Sequence, residues 1–249
     1  MEYITCHIGG RLGNNMFMIA HAYARALDEN KRFVVYKDYL LYHGNDYTQN
    51  IFRKIDLVET LDTSQRAYVG YFQSESYFEK YTENIKSLFS YPLEFEQRLR
   101  KELPFIFQDN TTVINVRRGD YLYSPNYHPV VSVEYIHKAL ERIPNTKHYL
   151  IASDDISWCK ENIHLPNSTY LEGYKSHEQL WILSMCQNFV ISNSSFSWWA
   201  AYLSRNPNKI VVAPETWFGP EHQSDWNSIY CKDWIILSTY FNDGKILPK

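Results

Sequence analysis

Two adjacent arginines, Arg117 and Arg118, followed by Gly119 and Asp120, close the apolar run Val113-Ile114-Asn115-Val116. A guanidinium fork matches phosphate oxygens two at a time, so a pair of them at a strand end is a ready anion site. Gly119 lets the backbone turn or come close to a ligand, and Asp120 can orient an arginine or accept a proton. The same four residues could instead form only exposed ion pairs. Two further strand ends carry comparable chemistry. At Ala152-Ser153-Asp154-Asp155 a carboxylate could accept paired donors from a nucleobase or cap a helix beginning near Ile156. At Asn193-Ser194-Ser195-Phe196-Ser197-Trp198-Trp199 the serines fit either helix capping or phosphate contacts. A fourth loop, Gly9-Gly10-Arg11-Leu12-Gly13-Asn14-Asn15, leads into a helix start, where free amides favour an anion or polar ligand. Its spacing is not GxGxxG, and no acidic ribose partner ends the next strand, which disfavours a dehydrogenase.

These loops need strands and helices to hold them. Residues 2–8 read as a strand and are followed by a helix with Met16, Ala20, Tyr23 and Leu27 on one face, then by a strand over Arg32 to Tyr36. Residues 38–68 read as irregular. Glu79 to Leu103 reads as helix, broken at Pro92 and closed by Pro104. From Thr111 the pattern alternates again: helix 133–142, strand 148–152, helix 178–186, strand 189–192, a helix from Phe196, and strand 209–213. This predicts an α/β protein of two nucleotide-type domains, 1–108 and 109–249, with the boundary near 104–111 and a cleft between them.

Composition narrows the partner. A formal charge of -3 over 249 residues argues against nucleic acid, whose binders carry a basic surface. Aromatic residues make up 16% of the chain, and flat amphipathic rings suit sugars or bases as well as a core. Cys6, Cys159, Cys186 and Cys231 are scattered, with neither a CxxC pair nor zinc-type spacing. They read as reduced thiols, and with no signal peptide and no apolar run long enough for a transmembrane segment, the expected location is cytoplasmic.

Taken together, the strings resemble the α-1,2-fucosyltransferases of glycosyltransferase family 11. Gly9–Phe17 resembles the family's GGLGNQMF loop, Gly70–Phe78 its GYFQSExYF string, Asn115–Tyr121 its HxRRGDY, Ser153–Lys160 its SDDxxWCK, Ser192–Ala201 its ANSSFSWWGA and Ala213–Phe218 its APxxWF, all in family order. The resemblance implies a GT-B-like fold of two Rossmann-like domains. It also implies inverting, metal-independent transfer of fucose from GDP-L-fucose to the 2-hydroxyl of a galactose-containing glycan, with no cofactor beyond the donor. By the same resemblance Arg117 grips the donor pyrophosphate, Arg118 and Asn115 share the donor site, and Ser195, Phe196 and Ser197 line the phosphates. Asp154 is placed at the guanine, and Arg11 and Asn14 face the fucosyl phosphate. Asp120 is the candidate base, with His128 and Glu134 as alternatives. Two positions depart from the family: Asn115 replaces a histidine and so lacks a titratable ring, and Asn15 replaces a glutamine. The rival readings are a GDP-dependent transferase of another deoxyhexose such as rhamnose, and a non-catalytic carbohydrate-binding protein.

Overall fold

A computed structural model describes residues 2–40, 47–60, 62, 64–108, 110–223 and 225–238. The chain forms two compact units, one ending at Pro92 and the other starting at Leu93.

In the first unit β1 (Tyr3–Cys6), β2 (Arg32–Tyr36), β3 (Asp56–Val58) and β4 (Arg66–Tyr68) pair in parallel, in the order β3-β2-β1-β4. Helix α1 (Leu12–Asp28) joins β1 to β2, the single turn α2 (Lys37–Leu40) follows, and α3 (Thr82–Leu88) comes after two 3-10 turns. α1 buries Met16, Phe17 and Ile19, and the small, unbranched Ala20, Ala22, Ala24 and Ala26 let the helix pack closely. It stops at Asn30, whose φ of 50° turns the chain into the left-handed region. Asn30 N–H donates to Leu27 O and Lys31 N–H to Ala26 O at 2.9 Å, which satisfies carbonyls the helix end would otherwise leave open.

The second unit comprises α4 (Leu93–Glu102), α5 (Phe105–Gln108), β5 (Thr111–Val116), α6 (Val133–Leu140), β6 (His148–Ser153), α7 (Ile156–Asn162), β7 (Ser168–Tyr170), α8 (Ser176–Ser184), β8 (Asn188–Ile191), α9 (Ser195–Leu203), β9 (Val211–Pro214) and β10 (Ile235–Leu237). The six strands form one parallel sheet in the order β10-β9-β8-β5-β6-β7. Every residue of β5, β8 and β9 is buried, as expected for parallel strands covered on both faces. Tyr135 of α6 is fully buried, and its hydroxyl lies 2.8 Å from Ile191 O and 3.2 Å from Val212 O, which ties α6 to β8 and β9.

Several elements differ from the sequence reading. The stretch 38–68 contains α2, β3 and β4, although 41–46, 61 and 63 lie outside the described residues. The stretch 79–103 breaks at Pro92 as expected, into α3 and α4, but its first residues, Glu79–Tyr81, form a 3-10 turn. The units divide ahead of the expected 104–111 junction because α4 is tied into the second unit. Phe95 meets the Trp181 ring of α8 at 5.2 Å, and Arg98 pairs with Glu178.

Candidate active site at the strand ends

In each sheet the strand order reverses once, and at such a switch point the loops leaving neighbouring strands diverge and open a crevice for ligands. In the second unit β5 leads outward to β6 and β7, whereas β8, on its other side, leads to β9 and β10. The loops after β5 and β8 are those carrying Arg117-Arg118 and Asn193-Ser194-Ser195. In the first unit the switch lies between β1 and β4, so the Gly9–Asn15 loop faces the Gly70–Phe78 string.

Register then brings specific side chains together. Val116 pairs with Ser153, which places the two arginines beside Asp154 and Asp155. Arg117 Nη1 lies 2.8 Å from Asp154 Oδ2, and its Nη2 pairs with Asp120 Oδ1. Arg118 donates from its backbone N–H to Asp154 Oδ1 (2.9 Å) and from Nε to Asp155 Oδ2 (3.3 Å), and its guanidinium lies 3.9 Å from the centre of the Trp158 ring. Gly119 leaves room for the Asp154 carboxylate, since a Cβ on it would fall 2.2 Å from Asp154 Oδ2. Arg118 is only 6% exposed, and its Nη1 is buried with no hydrogen-bond partner among the described residues.

Across the switch point Tyr121 donates from its hydroxyl to Asn193 O at 3.1 Å. Ser195 and Phe196 are half-buried in the first turn of α9, whose amides an α-helix leaves without intrahelical acceptors and whose N-cap Ser194 makes no side-chain capping bond. Ser197 points inward instead: it is fully buried and bonds Asn115 Oδ1, while Asn115 Nδ2 donates to Ala152 O. Asn115 and Ser197 therefore join β5 to α9 beneath the crevice.

His128 stacks on Tyr121 with ring centroids 4.3 Å apart. Burial holds its imidazole below the ordinary value, with Asp120 opposing and Arg117 and His222 reinforcing that shift. Glu134 pairs with Lys138 one turn along α6 and, among the described residues, makes no hydrogen bond or ion pair with the arginine cluster. In the first unit Arg11 is the exposed N-cap of α1, and Asn14 accepts from Gln73 Nε2 at 2.8 Å, a side-chain bond across that switch point. Asp155 caps α7 by accepting from Trp158 N–H, the capping alternative read at this strand end, whereas Trp158, Tyr121 and Gln73 were not singled out from sequence. Trp158 follows Asp155 by one helical spacing, but its place over Arg118 depends on the β5–β6 pairing. Among the described residues no three His, Cys, Asp or Glu side chains group as a metal site, and no helix is long and apolar enough to cross a membrane.

The sequence profile described as Glycosyl transferase family 11 matches residues 36–238. The chain belongs to that family. This family-11 chain is 26% identical to the Alpha-1,2-colitosyltransferase of Escherichia coli over 281 aligned positions, covering 91% of the chain and 96% of the relative. It is 33% identical to the O-antigen biosynthesis glycosyltransferase WbnK of Escherichia coli over 140 positions, 51% of the chain and 45% of that relative. Among solved structures it is similar to NodZ alpha-1,6-fucosyltransferase, from Bradyrhizobium, co-crystallised with GDP. The TM-score is 0.56 at 11% identity, covering 85% of this chain and 95% of that one. That likeness establishes a GT-B-like α/β fold, in agreement with the two parallel sheets.

Proposed function

We propose that this glycosyltransferase moves L-fucose from GDP-L-fucose to the 2-hydroxyl of a galactose-containing glycan, with inversion and without a metal ion. The observation carrying this reading is the arginine pair at the switch point, Arg117 half-buried and Arg118 buried, with Arg118 Nη1 left without a partner among the described residues. A buried cationic donor without an acceptor is costly, and a diphosphate oxygen is the acceptor that would repay it. Arg117 and the first-turn amides of α9 at Ser195 and Phe196 would hold the diphosphate, and Asp154 would meet the guanine edge. Asn115 and Ser197 are assigned to positioning, because their polar atoms are spent on each other. Arg11 and Asn14, on the first unit, are assigned to the sugar phosphate by resemblance to the family.

In the reaction the acceptor oxygen bonds to the anomeric carbon as the bond from that carbon to the diphosphate oxygen breaks, and GDP leaves with the bonding pair. Negative charge grows on the leaving oxygen, and Arg117 is assigned to stabilise it. The acceptor proton goes to a base. Asp120 stays the first candidate, and neutral His128 is the second, with its Nδ1 buried and without a partner among the described residues. Glu134, on α6 and without a bond to the arginine cluster among the described residues, is the weakest of the three.

The relation to a colitosyltransferase favours a second reading that changes only the deoxyhexose, since a phosphate clamp recognises the nucleotide more than the sugar. The test is transfer to a panel of β-galactosides in EDTA, read by mass spectrometry with competing GDP-deoxyhexoses and UDP-sugars. A product heavier by one fucose, obtained from GDP-fucose alone, supports the first reading. Preference for another GDP-deoxyhexose supports the second, and failure to bind GDP overturns both. Arg117→Ala should lower kcat by roughly a hundredfold to a thousandfold with an unchanged melting temperature.

A further inference from the structure

The loops that follow β5 and β9 meet outside the arginine cluster and build a surface from aromatic rings. Tyr127 packs edge-on against Phe218 at 5.8 Å and His222 at 5.3 Å, and its hydroxyl lies 3.0 Å from His222 Nδ1. Phe218 and His222 stack at 4.0 Å, and Trp226 abuts both. Backbone bonds lock the loops together: Gly219 N–H donates to Tyr127 O (3.0 Å) and Glu221 N–H to Asn126 O (3.2 Å). Gly219 packs so closely that a Cβ on it would lie 2.1 Å from Asn126 O. Tyr127 is exposed, and Tyr123, at the end of the 3-10 turn that begins Gly119-Asp120, is 89% exposed.

The geometry points to this surface as the platform on which the acceptor glycan stacks, and to a neutral glycan as its occupant, an assignment that rests on the transferase reading above. The residues of the two loops themselves favour a neutral occupant over an anionic one. Residues 119–137 and 210–231 contain no Lys or Arg, whereas Asp120, Glu221 and Asp225 are all present there. Carboxylates accept hydrogen bonds from sugar hydroxyls and repel phosphate or carboxylate, and tyrosine rings offer an apolar face with a polar edge to the CH face of a pyranose. The surface adjoins the arginine cluster. Arg117 and Arg118 pair with Asp154 and Asp155 on the β6 side of β5, and the Arg117 guanidinium lies 5.2 Å from the Tyr121 ring, which stacks on His128 and through it meets Tyr127 and Phe218. Asp120 stands at the start of the turn that ends in Tyr123, so a stacked sugar lies beside a candidate base.

The test compares the full chain with Tyr123→Ala, Tyr123→Trp and Tyr127→Phe, using lactose and sialylated lactose as acceptors. Saturation-transfer NMR of lactose on the GDP-bound protein and the acceptor KM are both read, with GDP affinity measured by calorimetry. Tyr123→Ala should weaken the lactose contact and raise the acceptor KM about tenfold, with GDP affinity unchanged; Tyr123→Trp should restore both, Tyr127→Phe should retain the contact, and sialylated lactose should bind poorly. An unchanged lactose contact and KM in Tyr123→Ala, or equal use of the sialylated acceptor, overturns the platform. If lactose contacts depend on Tyr123 but no deoxyhexose is transferred, the platform stands and the transferase reading falls.

Discussion

Arg117 and Arg118 announce an anion site in the sequence, and the three strand-end strings were legible because each ends an apolar run. Their mutual arrangement was not. Asp154 and Asp155 lie thirty-odd positions away, and only the Val116–Ser153 register makes them partners of the arginines. Ser197 was equally opaque: a serine in a helix start reads as a ligand contact, and only its burial against Asn115 shows it facing inward. The tight fit at Gly119 yields a prediction. In Gly119→Ala the new methyl must displace the Asp154 carboxylate, the free end of a half-exposed side chain, so the fold should lose little. The Arg117–Asp154 ion pair and the Arg118 amide bond should break. GDP affinity by calorimetry should therefore fall at least about tenfold while the denaturation midpoint moves slightly; an affinity equal to wild type would separate Asp154 from donor binding.

At the level of elements, the long buried strands and α1 were readable, whereas β3, β4, β7 and β10 were not. Each has three residues and lies at or near a sheet edge, where half-exposed side chains such as those of Arg66-Ala67-Tyr68 give neither alternation nor an apolar run. β4 is nonetheless what delivers the Gly70–Phe78 string to α1. Phe72, at a φ of 49°, stacks on His21 of α1 at 3.9 Å, with Tyr68 and Tyr77 edge-on to the same imidazole. Burial, aided by Arg25, pushes the His21 imidazole down from 6.5 to about 4. The folded protein thus keeps His21 neutral where the unfolded chain would take up a proton. Its contribution is fully present above pH 6.5 and is lost progressively as pH falls towards 4. Urea midpoints at pH 7.5 and 5 should show that loss, and His21→Phe, which keeps a ring in the aromatic setting, should reduce the slope. An identical slope in the variant would move the acid sensitivity elsewhere.

For the molecule as a whole, two parallel sheets each present their motif loops at a single reversal of strand order, and the family match over residues 36–238 takes in the strings from Gly70 to Phe218. Sequence located both sheets but misplaced the division between units, because a helix ahead of the first strand of a sheet carries no mark of which unit it joins; contacts of Phe95 and Arg98 with α8 decide it. The reading of reduced thiols can be checked at this scale too. None of the four cysteines forms a disulfide, and Cys6, Cys159 and Cys186 are buried, with Cys159 pushed up to about 11 by burial. A thiol reagent at pH 8 should label Cys231 quickly and the other three only on unfolding; rapid labelling of all four would mean that the interior opens readily.

The contact between Gly219 and Asn126 also has a consequence for how this surface can be inherited. With a backbone carbonyl filling the space of a side chain, neither loop can lengthen or shift without the other, so the two stretches, some ninety positions apart in the chain, must change as a pair. The arginine cluster takes no part in that contact. Selection can therefore remodel one face of the enzyme through coupled changes in two loops while the face carrying Arg117 and Arg118 stays as it is. In evolutionary terms the molecule is modular along a line that runs through its second unit.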